Sequence, residues 1–153
     1  PVDPRNFKNP KRGMALTALA GPAANLVIAV VVLALASVLY HLPLSFGSQG
    51  VWNAYSYVMI FLLRCAILSV GLGLFNLIPV PPLDGSKIVF SLLSDEGYRR
   101  VLRYERYGSL ILLILVWTGV LGKPLSNAID AVYNALFPIA QGGFDLAKTL
   151  FYR

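Results

Sequence analysis

The chain has 153 residues, of which 57% are hydrophobic and only 13% are charged. Its mean hydropathy is +0.68, and one small core cannot bury that much apolar surface, since a domain of this size leaves roughly a third of its unfolded-chain surface exposed. The composition excludes a disordered segment and a water-soluble nucleic-acid-binding module, and it indicates that part of the surface faces lipid.

The positive charge of the chain is clustered outside its apolar runs. The net charge of +6 arises from 13 Lys+Arg against 7 Asp+Glu. One basic group precedes the first apolar run, and a second group lies in a later loop. These groups are Arg5, Lys8, Lys11 and Arg12, and Lys87, Arg99, Arg100, Arg103 and Arg106. Such clustering is typical of membrane topology rather than of nucleic-acid binding, so we expect a lipid bilayer and no nucleic acid as partner.

Two long apolar runs predict membrane-spanning helices over residues 14–40 and 51–78. A helix as long as the first run extends about 40 Å, enough to cross a hydrocarbon core of ~30 Å. The second run is interrupted by Arg64, a costly residue at membrane depth. Arg64 either snorkels or pairs with a structural partner, or it has a functional role.

The second run ends in a cluster of prolines, Pro79, Pro81 and Pro82. Proline lacks a backbone donor and restricts the residue before it, so the chain must leave the helix there. Irregular backbone at membrane depth is tolerated only inside protein or beside a cavity. Because the run leads directly to Asp84, we predict an internal site at this carboxylate. Asp84 could be a metal ligand, a proton carrier or the N-cap of a helix that starts at Gly85.

The remaining elements are shorter. After a brief apolar piece at 88–93, residues 94–106 read as an exposed loop or surface helix, and 107–122 predict a short third span. Residues 125–150 form an amphipathic segment, either an interfacial helix or a fourth span, with breaks expected at Pro138 and Gly142–Gly143. The sequence thus predicts an all-α, polytopic membrane helical bundle with a proline-broken span, built as a single membrane domain over 1–153.

The distribution of basic residues also predicts the orientation. The amino-terminal flank and the 87–106 loop carry the basic clusters, whereas the connection at 43–50 carries no Lys or Arg. By the positive-inside rule, the amino-terminal flank and the 87–106 loop are cytoplasmic, and the 43–50 connection lies outside. We therefore expect an integral protein of the cell membrane.

Few side chains in this sequence can bind a metal. His41 is the single histidine and Cys65 the single cysteine, whereas a catalytic zinc usually takes three protein ligands, often two of them histidines. Asn25 is an amide inside an apolar span, for which an interhelical hydrogen bond is the simplest role. Gly21 lies four residues before it and allows close helix packing.

Two segments together resemble a known family. Residues 76–85, N-L-I-P-V-P-P-L-D-G, resemble the N-x-x-P-x-P-x-L-D-G signature of the site-2 protease family of intramembrane zinc metalloproteases, in its compact bacterial and archaeal form. Residues 21–25, G-P-A-A-N, are similar to the family's G-x-x-x-N element. The resemblance implies one Zn²⁺ ion with Asp84 as its third ligand, and a transmembrane or membrane-proximal peptide as substrate. It implies substrate positioning by Asn76 and Asn25, and a structural role around the site for Gly21, Pro22, Pro79, Pro81, Pro82 and Gly85.

The chain departs from the family pattern in one respect. The H-E-x-x-H helix, which supplies two zinc ligands and a general base, is absent from these 153 residues. We therefore expect a carboxy-terminal portion of a longer protease, with no catalytic residue of its own and no activity alone. Two alternatives remain. A transporter or channel fragment would also carry a broken helix and ionisable residues such as Arg64 and Asp84, and a non-catalytic membrane scaffold would bind a partner helix through its Gly/Ala faces.

Overall fold

The computed structural model describes residues 6–41, 47–94, 96–98 and 105–151. The secondary structure within these ranges is helical, without strands. The helices are α1 (Pro10–His41), α2 (Gln49–Asn76), α3 (Asp84–Ser91), α4 (Gly108–Trp117) and α5 (Gly122–Phe151), with a short 3₁₀ turn at Glu105–Tyr107. This confirms the predicted all-α class. The predicted basic residues Arg5, Arg99, Arg100 and Arg103 lie outside the described residues.

α1 and α2 are long and apolar enough to cross a membrane, and each contains an 18-residue stretch of high mean hydropathy, 2.5 in α1 and 2.3 in α2. They correspond to the two apolar runs for which the sequence predicts spans, and their length and composition are those of an integral membrane protein. α1 begins four residues before the predicted span because its start is capped. The Asn9 side-chain oxygen accepts a hydrogen bond from the Arg12 backbone at 3.2 Å, and Pro10 at the first helical position has its backbone already in helical form.

The region of the predicted third span is bent rather than straight. α4 has only 10 residues, which extend about 15 Å and cannot cross the hydrocarbon core alone. After α4 the chain turns at Gly119, whose φ of 72° is a conformation that glycine adopts without steric cost. α4 and residues 122–138 of α5 are long and apolar enough for a span only when taken together, and they are bent by 86° relative to each other. The bent pair forms either a broken span or a re-entrant loop.

α5 continues without a break from Gly122 to Phe151. The expected breaks at Pro138 and Gly142–Gly143 are therefore wrong. Pro138 removes one backbone donor, and a helix can carry such a loss when its neighbouring turns remain hydrogen-bonded. The two glycines lower helix propensity, but they do not forbid helical backbone angles.

The described contacts divide the chain into two compact units. Unit 1 comprises residues 1–24 and 72–128, which include the proline segment, α3 and α4. Unit 2 comprises residues 25–71 and 129–153, which include most of α1, α2 and α5. In unit 2, Leu33 and Ala66 form a buried core. The small side chains Ala29 and Ala36, buried one turn on either side of Leu33, allow helices to approach closely.

In unit 1, the start of α4 packs directly on the proline segment. Gly108 is buried, and a Cβ placed on it would collide with the Cβ of Pro81 and lie 2.5 Å from the Pro81 carbonyl oxygen. Because this contact involves backbone, the neighbouring chain cannot move aside cheaply. Gly108 is thus the residue type that this contact requires.

We predict that Gly108→Ala lowers the free energy of unfolding by about 1–3 kcal/mol, the usual cost of overpacking. Gly122→Ala is the matched control, since nothing lies within 4 Å of the Cβ that it would add. Thermal unfolding in detergent micelles measures both variants. Equal midpoints for the two would contradict the packing of Gly108 on Pro81.

Candidate functional site

The proline segment ends α2 and leads to the carboxylate of Asp84. After Asn76 the backbone is held by short-range turns, with hydrogen bonds from Val80 N to the Ile78 oxygen at 2.8 Å and from Leu83 N to the Val80 oxygen at 3.0 Å. Helical structure resumes at Asp84, the first residue of α3. The predicted loss of helix across Pro79–Pro82 is confirmed, and it leaves Asp84 at the head of a new helix.

Asp84 is not a helix cap. Leu83 holds the N-cap position, and no side chain makes a capping hydrogen bond there, so the capping alternative is wrong. The Asp84 carboxylate turns to its own helix instead, where its Oδ1 accepts a hydrogen bond from Lys87 Nζ at 3.0 Å. A negative charge in the first turn also interacts favourably with the helix dipole.

The second oxygen of Asp84 faces α1 at Gly21, about three turns after the helix begins. A Cβ built on Gly21 would lie 3.4 Å from Asp84 Oδ2, so the glycine leaves the space of a side chain beside this oxygen. Pro22, the next residue, is buried. The structure thereby brings together Gly21 and Asp84, which come from two motifs far apart in the sequence.

Gly85 fixes the path of the chain around Asp84. Its own Cβ would collide with the Leu77 carbonyl group and lie 2.6 Å from the Ile78 oxygen. The head of α3 therefore packs against the backbone that follows α2. Any side chain at position 85 would push Asp84 away from its present place.

A lysine links α1 to the far end of α3. Lys11 Nζ donates a hydrogen bond to the Leu93 carbonyl oxygen at 2.8 Å, and it lies 5.6 Å from the centre of the Tyr98 ring. A charged donor bound to a carbonyl at a helix end is favourable for both groups. Lys11 thus helps to hold α3 against α1 in unit 1.

The two predicted substrate-positioning amides lie in different units. Asn76 is the last residue of α2, is half-buried and belongs to unit 1 with Asp84. Asn25 is half-buried in α1 and belongs to unit 2. Neither amide is hydrogen-bonded to another described residue, so the interhelical bond expected for Asn25 is not observed there. Of the prolines, Pro81 is half-buried, and Pro79 and Pro82 are exposed.

The described residues could supply one zinc ligand, but they do not provide a complete set of ligands. Within the described ranges, no group of three or more His, Cys, Asp and Glu side chains is placed to hold a metal ion. Asp84 offers a carboxylate, the hard oxygen donor that zinc accepts beside histidines. Its Oδ1 is bound to Lys87, which leaves Oδ2 as the oxygen for a cation.

Sequence reasoning assigned no role beside the carboxylate to Lys87, and none to Gly108. Lys87 was identifiable in principle, because an acid and a lysine three residues apart on a helix lie on the same face. Gly108 closes a segment, 103–108, that resembles the compact members of the family, but no local pattern indicates its packing role. Its importance depends on Pro81, which is distant along the chain and adjacent only in the fold.

Comparison with known proteins identifies the class to which this helical membrane chain belongs. Residues 43–122 match the peptidase family M50. The chain therefore belongs to this family of metalloproteases, and this membership favours a protease over a transporter or a scaffold.

Two relatives, each named a putative zinc metalloprotease, extend the match. YwhC of Bacillus subtilis is 31% identical over 151 residues, covering 99% of this chain and 62% of YwhC. Rip2 of Mycolicibacterium smegmatis is 30% identical over 112 residues, covering 73% of this chain and 39% of Rip2. The chain thus spans less than two thirds of the length of either relative. No solved structure matches it.

We predict that Lys87→Met lowers the free energy of unfolding by less than about 1 kcal/mol, the range of solvent-exposed ion pairs. The side chains of Lys87 and Asp84 are 39% and 32% exposed, so water screens the pair. Gly85→Ala is the comparison variant, with an expected loss of about 1–3 kcal/mol from its backbone collision. Urea or thermal unfolding in micelles measures both. A larger loss for the lysine variant would mean that the ion pair holds the head of α3.

Proposed function

We propose that the chain is the carboxy-terminal membrane part of a zinc-dependent intramembrane metalloendopeptidase. Its substrates are transmembrane or membrane-proximal peptide segments. The observation that carries the proposal is the carboxylate of Asp84, which opens α3 beside Gly21 of α1. Membership in peptidase family M50 supports the same conclusion. The two segments that resemble site-2 proteases also meet at this point, through Gly21 and Asp84.

Asp84 acts in this proposal as one zinc ligand, through Oδ2. When bound, zinc supplies Lewis-acid activation of water and of a peptide carbonyl. The contribution of this chain is to fix the ligand oxygen. Gly85 packs on the backbone after α2, and Lys87 holds Oδ1, so Oδ2 keeps a constant direction.

One carboxylate is too few ligands to hold a catalytic zinc. The other ligands and the general base would come from an H-E-x-x-H helix, a motif that these 153 residues lack. We therefore propose that the 153 residues alone bind no stoichiometric zinc and hydrolyse no peptide.

Substrate binding requires polar groups, because a peptide segment in a membrane is helical and must be unwound before its carbonyl can be attacked. The backbone groups released by unwinding need new partners in a medium without water. In this proposal, the amides of Asn76 and Asn25 provide them. Asn76 is suited to the task because it is the last residue of α2, eight positions before Asp84, where the chain leaves the helix.

We place the site toward the cytoplasmic side of the membrane. Arg12 and the half-buried Lys11 lie at the start of α1, and Lys87 lies beside Asp84. Basic residues at the ends of spans favour a cytoplasmic location. This orientation gives cytoplasmic sides to the amino-terminal flank and the 87–106 loop.

Replacing Asp84 by Ala in the full-length protein tests the ligand role. We expect proteolysis to fall to background, and zinc affinity to fall by more than the roughly 10–100-fold that the loss of an outer-shell partner costs. Zinc per protein is measured by elemental analysis, and cleavage with a model transmembrane substrate. Asp130→Ala removes an exposed carboxylate from α5 and serves as the control. If the Asp84 variant kept both zinc and activity, the proposal would fail.

Replacing Asn76 by Ala in the full-length protein tests substrate positioning separately. We expect cleavage to slow by about 2- to 10-fold, the effect of losing one hydrogen bond, with zinc content unchanged. Asn127→Ala, which removes an exposed amide from α5, is the matched control. Loss of zinc in the Asn76 variant would show a structural rather than a substrate-binding role.

A further inference from the structure

We propose that the outward face of α2 in unit 2 binds a transmembrane helix of another polypeptide, one that carries an aspartate or glutamate at mid-membrane depth. We call this surface the Arg64 face. It consists of Tyr57, Phe61, Arg64 and Leu68. The proposal is independent of the zinc ligand proposed above, since Asp84 lies in unit 1.

The Arg64 face is a continuous stripe on one side of α2. Its members recur at helical spacing, and Tyr57, Phe61 and Leu68 are 73%, 65% and 64% exposed. Arg64 is also exposed. The opposite stripe, also in unit 2, faces inward, since Ala66 and Val70 are completely buried. The helix thus turns a charged residue away from its own core.

Arg64 is too deep in α2 to reach water along the helix. It lies roughly 22 Å from the Gln49 end and roughly 18 Å from the Asn76 end, at 1.5 Å per residue. Snorkelling relieves arginines near the ends of a span. At mid-depth a guanidinium exposed to lipid is costly, and such residues usually face a protein partner or a water-filled cavity.

No carboxylate of unit 2 forms an ion pair with Arg64 within the described structure. The parts of α1 and α2 that belong to unit 2 contain no acidic residue, and α5 contributes only Asp130 and Asp145. Both are exposed, and Arg64 forms no ion pair with either of them. The charge therefore calls for a carboxylate from outside the unit.

Charge complementarity identifies the partner. A guanidinium binds a carboxylate through two parallel hydrogen bonds, and this pair gains strength where water is absent. Lipid tails offer no such acceptor at this depth. The flanking Tyr57, Phe61 and Leu68 offer apolar contact over three turns, which fits a helix lying along α2.

A defined peptide tests the proposal. The full-length protein, with a donor fluorophore on a carboxy-terminal tag, is placed in phosphatidylcholine vesicles at neutral pH. The acceptor is a Leu/Ala transmembrane peptide of about 20 residues, made with Glu, Gln or Leu at its centre. We expect energy transfer with the Glu peptide, and association weaker by about 3- to 30-fold with the Leu peptide.

Variants of the protein give the complementary test. Arg64→Leu is expected to reduce association with the Glu peptide to that of the Leu peptide, whereas Arg64→Lys keeps most of it. Lys123→Leu removes an exposed charge at the start of α5 and is the control. The peptide series uses wild-type protein, so it stands even if a variant folds poorly.

Three results would overturn the proposal. Equal association of the Glu and Leu peptides would remove the charge argument. Absence of association with any peptide would mean that the face is covered within the full-length protein itself. Energy transfer between donor- and acceptor-labelled copies without peptide, lost in Arg64→Leu, would assign the face to self-association instead.

Discussion

The interruption of helical structure after Asn76 is the constraint on which the site depends. Helical structure stops at Asn76 and resumes at Asp84, because the intervening prolines cannot donate the hydrogen bonds of a helix. In a membrane such a break must be compensated by neighbouring protein. Gly108 supplies this contact by packing on Pro81, and Gly85 supplies it by packing on the Leu77 carbonyl.

The placement of two charged side chains, Asp84 and Arg64, is a second feature of the molecule. Asp84 has a partner in Lys87 at the head of α3, where a carboxylate is also favoured by the helix dipole. Arg64 lies at mid-depth in α2 with its side chain turned outward. The two residues show two settings for an ionisable group. Asp84 is partly exposed and has a local partner, whereas Arg64 lies at mid-depth in α2 and requires a partner from elsewhere.

The sequence predicted well where the local pattern leaves few choices. The spans of α1 and α2 follow from hydropathy and length, and the end of α2 follows from Pro79. Prediction was wrong where local signals are weak: Pro138 and Gly142–Gly143 do not interrupt α5. A single proline or a pair of glycines lowers helix stability by a few kcal/mol at most, and a long helix with intact neighbouring turns absorbs that cost.

Composition, proline chemistry and motif spacing are local properties. The sequence alone therefore predicts the helical membrane class, the place where α2 must end and the resemblance of residues 76–85 to a metalloprotease signature. Tertiary structure decided that Asp84 pairs with Lys87 rather than capping α3, that its second oxygen faces Gly21, and that Gly108 packs on Pro81. The contacts of Gly21 with Asp84 and of Gly108 with Pro81 join residues distant in the chain, whose geometry no local pattern encodes. The Asp84–Lys87 spacing is compatible with an ion pair, and the fold decides that the carboxylate makes it.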